Sequence, residues 1–492
     1  MASGLSFELS LQMAGILNRG LDLIEASFFS VRSRLSIWVN RLWQAGLYAL
    51  GLLHWGYFLN WGKIAFDRHD WPQVGTYYYF LRQAILTGQL PLHISSTLIT
   101  TDRYLGRPDT LLSPQALLLY FFQPGPFTLI NTWFLFTVGS VGLLLIQKRY
   151  RLSPVVFTIL FVLYNFNGHI TAHMAVGHAM WTGYFLLPFF LLLVFQLVEQ
   201  EVSWKWVLLT SLVLFSFLLQ GAFHFFLWCL IFLLALGLFS PRHFLLAVKA
   251  IVFSSLLSLV RILPPAFEYV GGGPKFISGF ISVTDLMAAL VVLKHPESAL
   301  SGPFKELGYW EVDTYLGLLG FAILVYFGVY LAWRKQSRLR ALFAPACVLT
   351  FLSVGRVYEL ITRLPIPWLD SERVPARFLI LPVTILIVLG SIQLQEYLNN
   401  KGKLTWREAL LYFGMLILLG HDLLQHSRIW RLTNMDQLFA STPVDIRAAV
   451  INHPDPPYWS ALIIGLTGSL ITLIFLCVMV WRECHKKVRI PG

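Results

Sequence analysis

Two carboxylates three residues apart, Asp67 and Asp70, stand just beyond the first long apolar run of the chain. A carboxylate at the rim of a bilayer is partly dehydrated. There it can act as a base, bind a cation or orient a hydroxyl group. The other reading of the pair is a solvated helix end shielded by Lys63 and Arg68. Much later, DSERVPARF sets Arg373 and Arg377 four residues apart across Pro375. Paired guanidinium groups at the mouth of a span suit a phosphate, and Lys275 could meet one from a neighbouring loop. Snorkelling from a helix end is the competing use of such arginines. Three histidines, His169, His173 and His178, share NGHITAHMAVGHAMW. A spacing of four puts the first two on one helical face, but the sequence offers no nearby carboxylate, so no metal ligands are assigned to them. His421 and Asp422 are adjacent, and adjacent residues do not face each other on a helix.

The elements that carry these groups are membrane spans. Of 492 residues, 57% are hydrophobic and 13% charged, with a formal charge of +12 and a mean hydropathy of +0.66. Soluble domains carry about 25% charged residues, so this chain cannot clothe a water-facing surface of its size. Collagen-like, disordered and disulfide-scaffold classes are excluded by the same composition. Runs near 44–62, 126–147, 153–173, 181–198, 204–221, 222–239, 244–264, 314–333, 341–355, 376–395, 407–424 and 459–481 meet the length of a span. The expectation is an all-α polytopic protein of about 12 spans, the run at 341–355 being short enough to be re-entrant. Residues 1–43 read as an amphipathic arm on the membrane surface. Residues 44–400 form the core, and 401–492 add further spans and a basic tail.

Lys and Arg gather in alternate short connections, in the arm and in the tail. By the positive-inside rule these lie in the cytoplasm with both termini. The basic excess is then explained by topology and anionic lipid rather than by nucleic acid. Segments 63–113, 265–312, 356–375 and 425–458 are long and fall on the opposite face, where function is expected. Within them, 75–87 reads as an amphipathic helix stopped by Gly88, Ser282 with Asp285 as a helix start, and Thr442-Pro443 as another. The four cysteines lie in apolar runs or the tail, so no disulfide is expected.

The order of short motifs resembles a family. Asp70-Trp71 follows the first span, then a Tyr-rich helix, GQLPLH and Gly106-Arg107-Pro108. GHAMWTGYFLLPFFLL, RILPPAF and RVPARFLIL follow. Spread over most of 44–400, this is similar to the YfhO-type and PTPS-related membrane proteins of the GT-C glycosyltransferase superfamily. The resemblance implies a multi-span enzyme that moves a sugar from a polyprenyl-phosphate donor on the outer face. It places the working carboxylate at Asp70, with Asp67 second, although a single acid precedes the Trp here where many members carry neighbouring acids. Arg373, Arg377, Arg107 and Lys275 are then expected to stabilise the departing phosphate. Trp71, Tyr77, Tyr78 and Trp310 are candidates for stacking on sugar rings, and His178 joins the substrate-binding set.

No nucleotide site is required, in keeping with a sequence that carries no P-loop, GxGxxG, GxSxG or HExxH. No cofactor is assigned beyond a divalent cation as an option. Expected partners are membrane lipids, the lipid-linked donor and protein subunits of a membrane complex, in the plasma (inner) membrane. Two other readings stay open: a non-catalytic subunit on the same scaffold, and a transporter of lipid-linked sugar. The scarcity of ionisable groups at mid-span counts against the last.

Overall fold

The computed structural model describes residues 20–22, 24–29, 34–268, 277–298, 307–335, 338–363 and 372–488. Lys275 and most of the amphipathic arm lie outside the described residues. The protein is an all-α membrane protein. Its β structure among the described residues is one antiparallel pair, Ile94–Ser95 with Ala449–Val450, and two isolated bridges.

Helices start where proline pre-sets the backbone and no amide is needed. Pro124–Tyr150, Pro154–Asn165 and Pro241–Leu257 all begin in this way. Seven helices among the described residues are long and apolar enough to cross a bilayer, or eight if one bent pair is a single span. That pair is Pro241–Leu257 and Leu259–Glu268, which meet at 73°. The remaining apolar runs also fold as helices, each too short or too polar to cross by itself. Arg34–Phe58 is long enough but is made too polar by Asn40, Arg41, Gln44 and His54. Trp204–Leu219 and Phe223–Phe239 have 16 and 17 residues, and Phe343–Leu352 only 10.

One break within a span matters for the site. Helix Pro154–Asn165 stops, and Asn167 starts a second piece, Gly168–Ala175, by accepting a hydrogen bond from the Ile170 amide at 3.3 Å. The amide of Gly168 donates to the Tyr315 carbonyl at 2.9 Å. A Cβ at Gly168 would sit 1.9 Å from an Asp313 oxygen. Only glycine lets the segment before residue 315 press this close.

The basic connections assemble at one end of the bundle. There Arg149 pairs with Glu199 at 2.6 Å, Arg338 donates to the Glu199 carbonyl at 2.7 Å, Lys335 meets Glu396, and the Trp204 amide meets Glu483 at 3.1 Å. The long segments gather at the other end. Trp71–Thr87 forms there, starting earlier than its periodicity indicates because Pro72 occupies its first turn, and it ends at Gly88 in the left-handed region. Ser282 caps Val283–Val291 by accepting from the Asp285 amide. The helix expected to start at Thr442-Pro443 does not form. The Thr442 amide donates instead to the Asp67 carbonyl at 2.9 Å, and residues 449–450 are drawn into the strand pair. Tertiary partners for the backbone outweigh a local start signal.

Helix Pro124–Tyr150 approaches Ala179–Leu186 closely at Gly139, where a Cβ would lie 2.7 Å from the Phe185 carbonyl oxygen. Overpacking of this kind costs about 1–3 kcal/mol. Gly139→Val is therefore expected to lower the melting temperature in detergent. Gly414→Val, at a helical position with nothing within 4 Å, is expected to leave it unchanged.

Candidate functional site

The approach to Asp70 is conformationally costly. Among the described residues five non-glycine residues have positive φ, and four of them, Asn60, Trp61, Phe66 and His69, lie just ahead of it. Such backbone persists only where tertiary contacts over-determine it, and it clusters at functional positions. The contacts are here. The Asp70 amide donates to the Val176 carbonyl at 3.0 Å, and the Trp71 indole donates to the Ala175 carbonyl at 3.1 Å. Gly177, at φ +95°, makes room for the crossing, since a Cβ there would lie 2.4 Å from the Trp71 nitrogen. Asp70 thus precedes its helix without capping it. Its carboxylate, 54% exposed, reaches His178 Nε2 at 2.8 Å.

From His178 a polar chain runs into the protein. His178 Nδ1 and His173 Nδ1 are 2.8 Å apart, and His173 Nδ1 lies 3.9 Å from Glu311. Glu311 takes two hydrogen bonds from Arg377, at 2.7 and 2.8 Å. Arg377 also lies over the Trp181 ring, 4.7 Å from its centroid, and 3.3 Å from His224 Nε2. His224 Nδ1 meets Glu372 at 2.6 Å, and the Trp228 indole donates to the same oxygen at 3.3 Å. His173, Glu311, Glu372 and Arg377 are buried. Asp70 at the mouth is exposed, as is Arg373.

The protein around Asp70 resists its ionisation, but the hydrogen bond from His178 and the charges of Arg377 and Arg373 outweigh that and hold the carboxyl below its ordinary range. Burial likewise opposes ionisation of Glu372, and the His224 contact with the Arg377 charge overcomes it. An ionised Asp70 orients His178. His178 Nε2–H donates to Asp70, and one of the two facing Nδ1 atoms donates to the other. His173 Nε2 is buried without a hydrogen-bond partner.

His173, His178 and Glu311 each bring one ligand atom within 4.8 Å of the others. That donor set could hold a divalent ion. Against it, both Glu311 oxygens are already committed to Arg377, whose positive charge repels a second cation. The ion pair and the His–His contact already engage both Glu311 oxygens and the two facing Nδ1 atoms, and His173 Nε2 alone is left without a partner.

The other expected residues are placed as follows. Asp67 bonds Arg68 at 3.0 Å and accepts from Ser441, so it ties the first long segment to the last. Arg107 lies at another locus, its guanidinium 3.4 Å from Thr100 Oγ1 and its charge acting on Asp109. Asp109 in turn accepts from Tyr77 and Gln73, each at 3.3 Å. Trp71 and Tyr78 are buried, the latter edge-on to Phe127, and act as packing that fixes the helix. Arg377 is buried on Glu311, whereas Arg373 faces outward. His421 and Asp422 part company: Asp422 accepts from Tyr315 at 2.8 Å and His421 lies beside Gln425. Sequence reasoning did not select Glu311, Glu372, His224 or His173 as site residues. Glu372 was within reach, one position before Arg373 in the arginine motif.

Neither protein-family models nor curated proteins give a match to this sequence. The geometry therefore carries the functional argument.

At Gly177 an alanine meets both a forbidden φ and the Trp71 backbone. A left-handed conformation costs a non-glycine residue about 1–2 kcal/mol. Gly177→Ala is expected to loosen the crossing, read as faster amide hydrogen exchange over residues 68–75 with exchange at the opposite, basic end unchanged.

Proposed function

We propose that the protein is an integral membrane glycosyltransferase of GT-C type that moves a sugar from a polyprenyl-phosphate donor to an acceptor on the outer face. The observation that supports this best is the composition of the mouth: an exposed, ionised carboxylate, Asp70, backed by buried imidazoles and facing the charges of Arg373 and Arg377. We place both termini in the cytoplasm of a plasma (inner) membrane, with about twelve crossings, counting short and bent helices as spans.

In this reading Asp70 accepts the proton of the acceptor hydroxyl as that oxygen attacks the anomeric carbon. A bond forms between oxygen and carbon, the carbon–oxygen bond to the lipid phosphate breaks, and the electron pair leaves with the phosphate. The configuration at the anomeric carbon inverts. His178 holds the carboxylate in place by its Nε2–H and is the positioning residue. Arg373 meets the negative charge on the leaving phosphate, with Arg377 adding field from behind. Trp71, Tyr78 and Asp67 hold the frame in which Asp70 works.

The test is transfer of labelled sugar from a polyprenyl-phosphate sugar in reconstituted membranes. General-base catalysis contributes about 10²–10⁴-fold. Asp70→Asn is expected to lower kcat by that range, and Asp67→Asn by less, because its bonds go to Arg68 and Ser441. Wild-type transfer that survives Asp70→Asn and Asp70→Ala sinks the assignment.

A further inference from the structure

A second polar cluster lies apart from Asp70, where the first and last outer segments meet. The backbone builds it. Ile94 pairs with Val450, the His93 amide donates to Asn452 at 3.1 Å, and the Ile451 amide donates to the His93 carbonyl at 3.1 Å. His93 pairs with Arg103 in an isolated bridge. These contacts bring His93, Asp102 and His453 together, with one ligand atom of each within 4.8 Å of the other two. His453 Nε2 is 2.7 Å from Asp102, and the two imidazole centroids are 4.0 Å apart.

The protons of His93 follow from its neighbours. Its Nε2 lies 3.4 Å from Asp455 Oδ2. Asp455 is itself gripped by Arg103 Nε and Nη2 at 2.7 and 2.9 Å. A carboxylate held so firmly accepts, so His93 Nε2 carries the hydrogen and Nδ1 carries a lone pair. That Nδ1 is buried in a fully buried side chain and has no hydrogen-bond partner. An unmet acceptor buried in protein costs about 1–3 kcal/mol. It is the group expected where a metal supplies the missing partner. An imidazole whose second nitrogen donates to a carboxylate, with the first left as ligand, is the usual outer-shell arrangement of metal-bound histidine. Asp102 and His453 are each 45% exposed, which leaves an entry path for an ion.

We propose that His93, Asp102 and His453 form a binding site for a zinc-like divalent cation that clips the first outer segment to the last. Two imidazoles and one carboxylate suit zinc rather than calcium or magnesium, which take oxygen ligands. Tetrahedral ligand atoms at about 2.0–2.1 Å from zinc stand roughly 3.3 Å apart; here one pair stands at 2.7 Å and all three atoms lie within 4.8 Å of one another. The outer segment that carries Asp70 is held at one place by Asp67 with Ser441 and at another by this clip. The site stands on its own geometry and does not depend on sugar transfer.

The experiment uses the full chain, purified in detergent, stripped with chelator and titrated with zinc alone. Bound zinc is counted by mass spectrometry, and the melting temperature is followed in parallel. One equivalent is expected in the wild type, with a rise in melting temperature. Both are expected to disappear in His453→Ala and in Asp102→Asn, two exposed positions whose variants keep native circular dichroism. His178→Ala, at the other cluster, is expected to retain the equivalent. No bound zinc in the wild type overturns the proposal. So does zinc that persists in both His453→Ala and Asp102→Asn, or zinc that is lost only in His178→Ala.

Discussion

The buried pair between Arg377 and Glu311 is the contact on which the rest of the site hangs. It joins the first turn of the Pro375–Asn400 span to the Tyr309–Glu311 turn, and both partners are almost wholly buried. Removing one partner of such a pair strands the other charge, at about 3–5 kcal/mol, although the intact pair adds little net stability against apolar replacements. Its value here is therefore geometric. Two bonds fix the guanidinium plane, the Trp181 ring supports one face, and His224 with Glu372 completes the remaining side. With Arg377 held in this way, its charge reaches Asp70 as field rather than as a direct bond. The carboxylate stays ionised yet uncovered.

The second constraint is the crossing of backbones at Gly177. Residues 60–69 hold four strained φ values, and each favours release of the loop. Two hydrogen bonds from Asp70 and Trp71 to the 175–176 carbonyls oppose that release, and only glycine at 177 lets them form. The same crossing brings His178 to Asp70. Strain and the Asp70–His178 contact thus share one structural cause: a loop pulled onto a histidine-bearing turn.

Much of this was legible in the sequence, and the rest was not, for identifiable reasons. Apolar runs of span length become helices because backbone groups in lipid have no other partner. The Gly88 stop and the Ser282 cap are local signals met by local bonds, and the structure keeps both. Asp70 was visible from its position at the end of an apolar run beside Trp71. Near His173 and His178 the sequence shows no carboxylate, because Glu311 lies far along the chain and arrives only through the fold. Thr442-Pro443 shows the reverse, a sound local signal overruled when its amide found the Asp67 carbonyl. Arg377 had the right type and depth for a phosphate, but no spacing rule announces that a glutamate will occupy it first.

Charge is also divided between the two ends of the bundle. At the basic end the pairs are Arg149 with Glu199 and Lys401 with Glu408, partly exposed and therefore worth about 0–1 kcal/mol each. At the other end Glu311, Glu372 and His173 are buried behind the mouth, where Asp70 emerges. A low-dielectric wall behind one exposed carboxylate strengthens every interaction made in front of it. A neutral hydroxyl beside Asp70 and an anion beside Arg373 would each meet one charge of suitable sign, held apart by residues that cannot relax toward each other. That separation is what the proposed donor and acceptor would require, and here it follows from burying the groups behind the mouth rather than those at it.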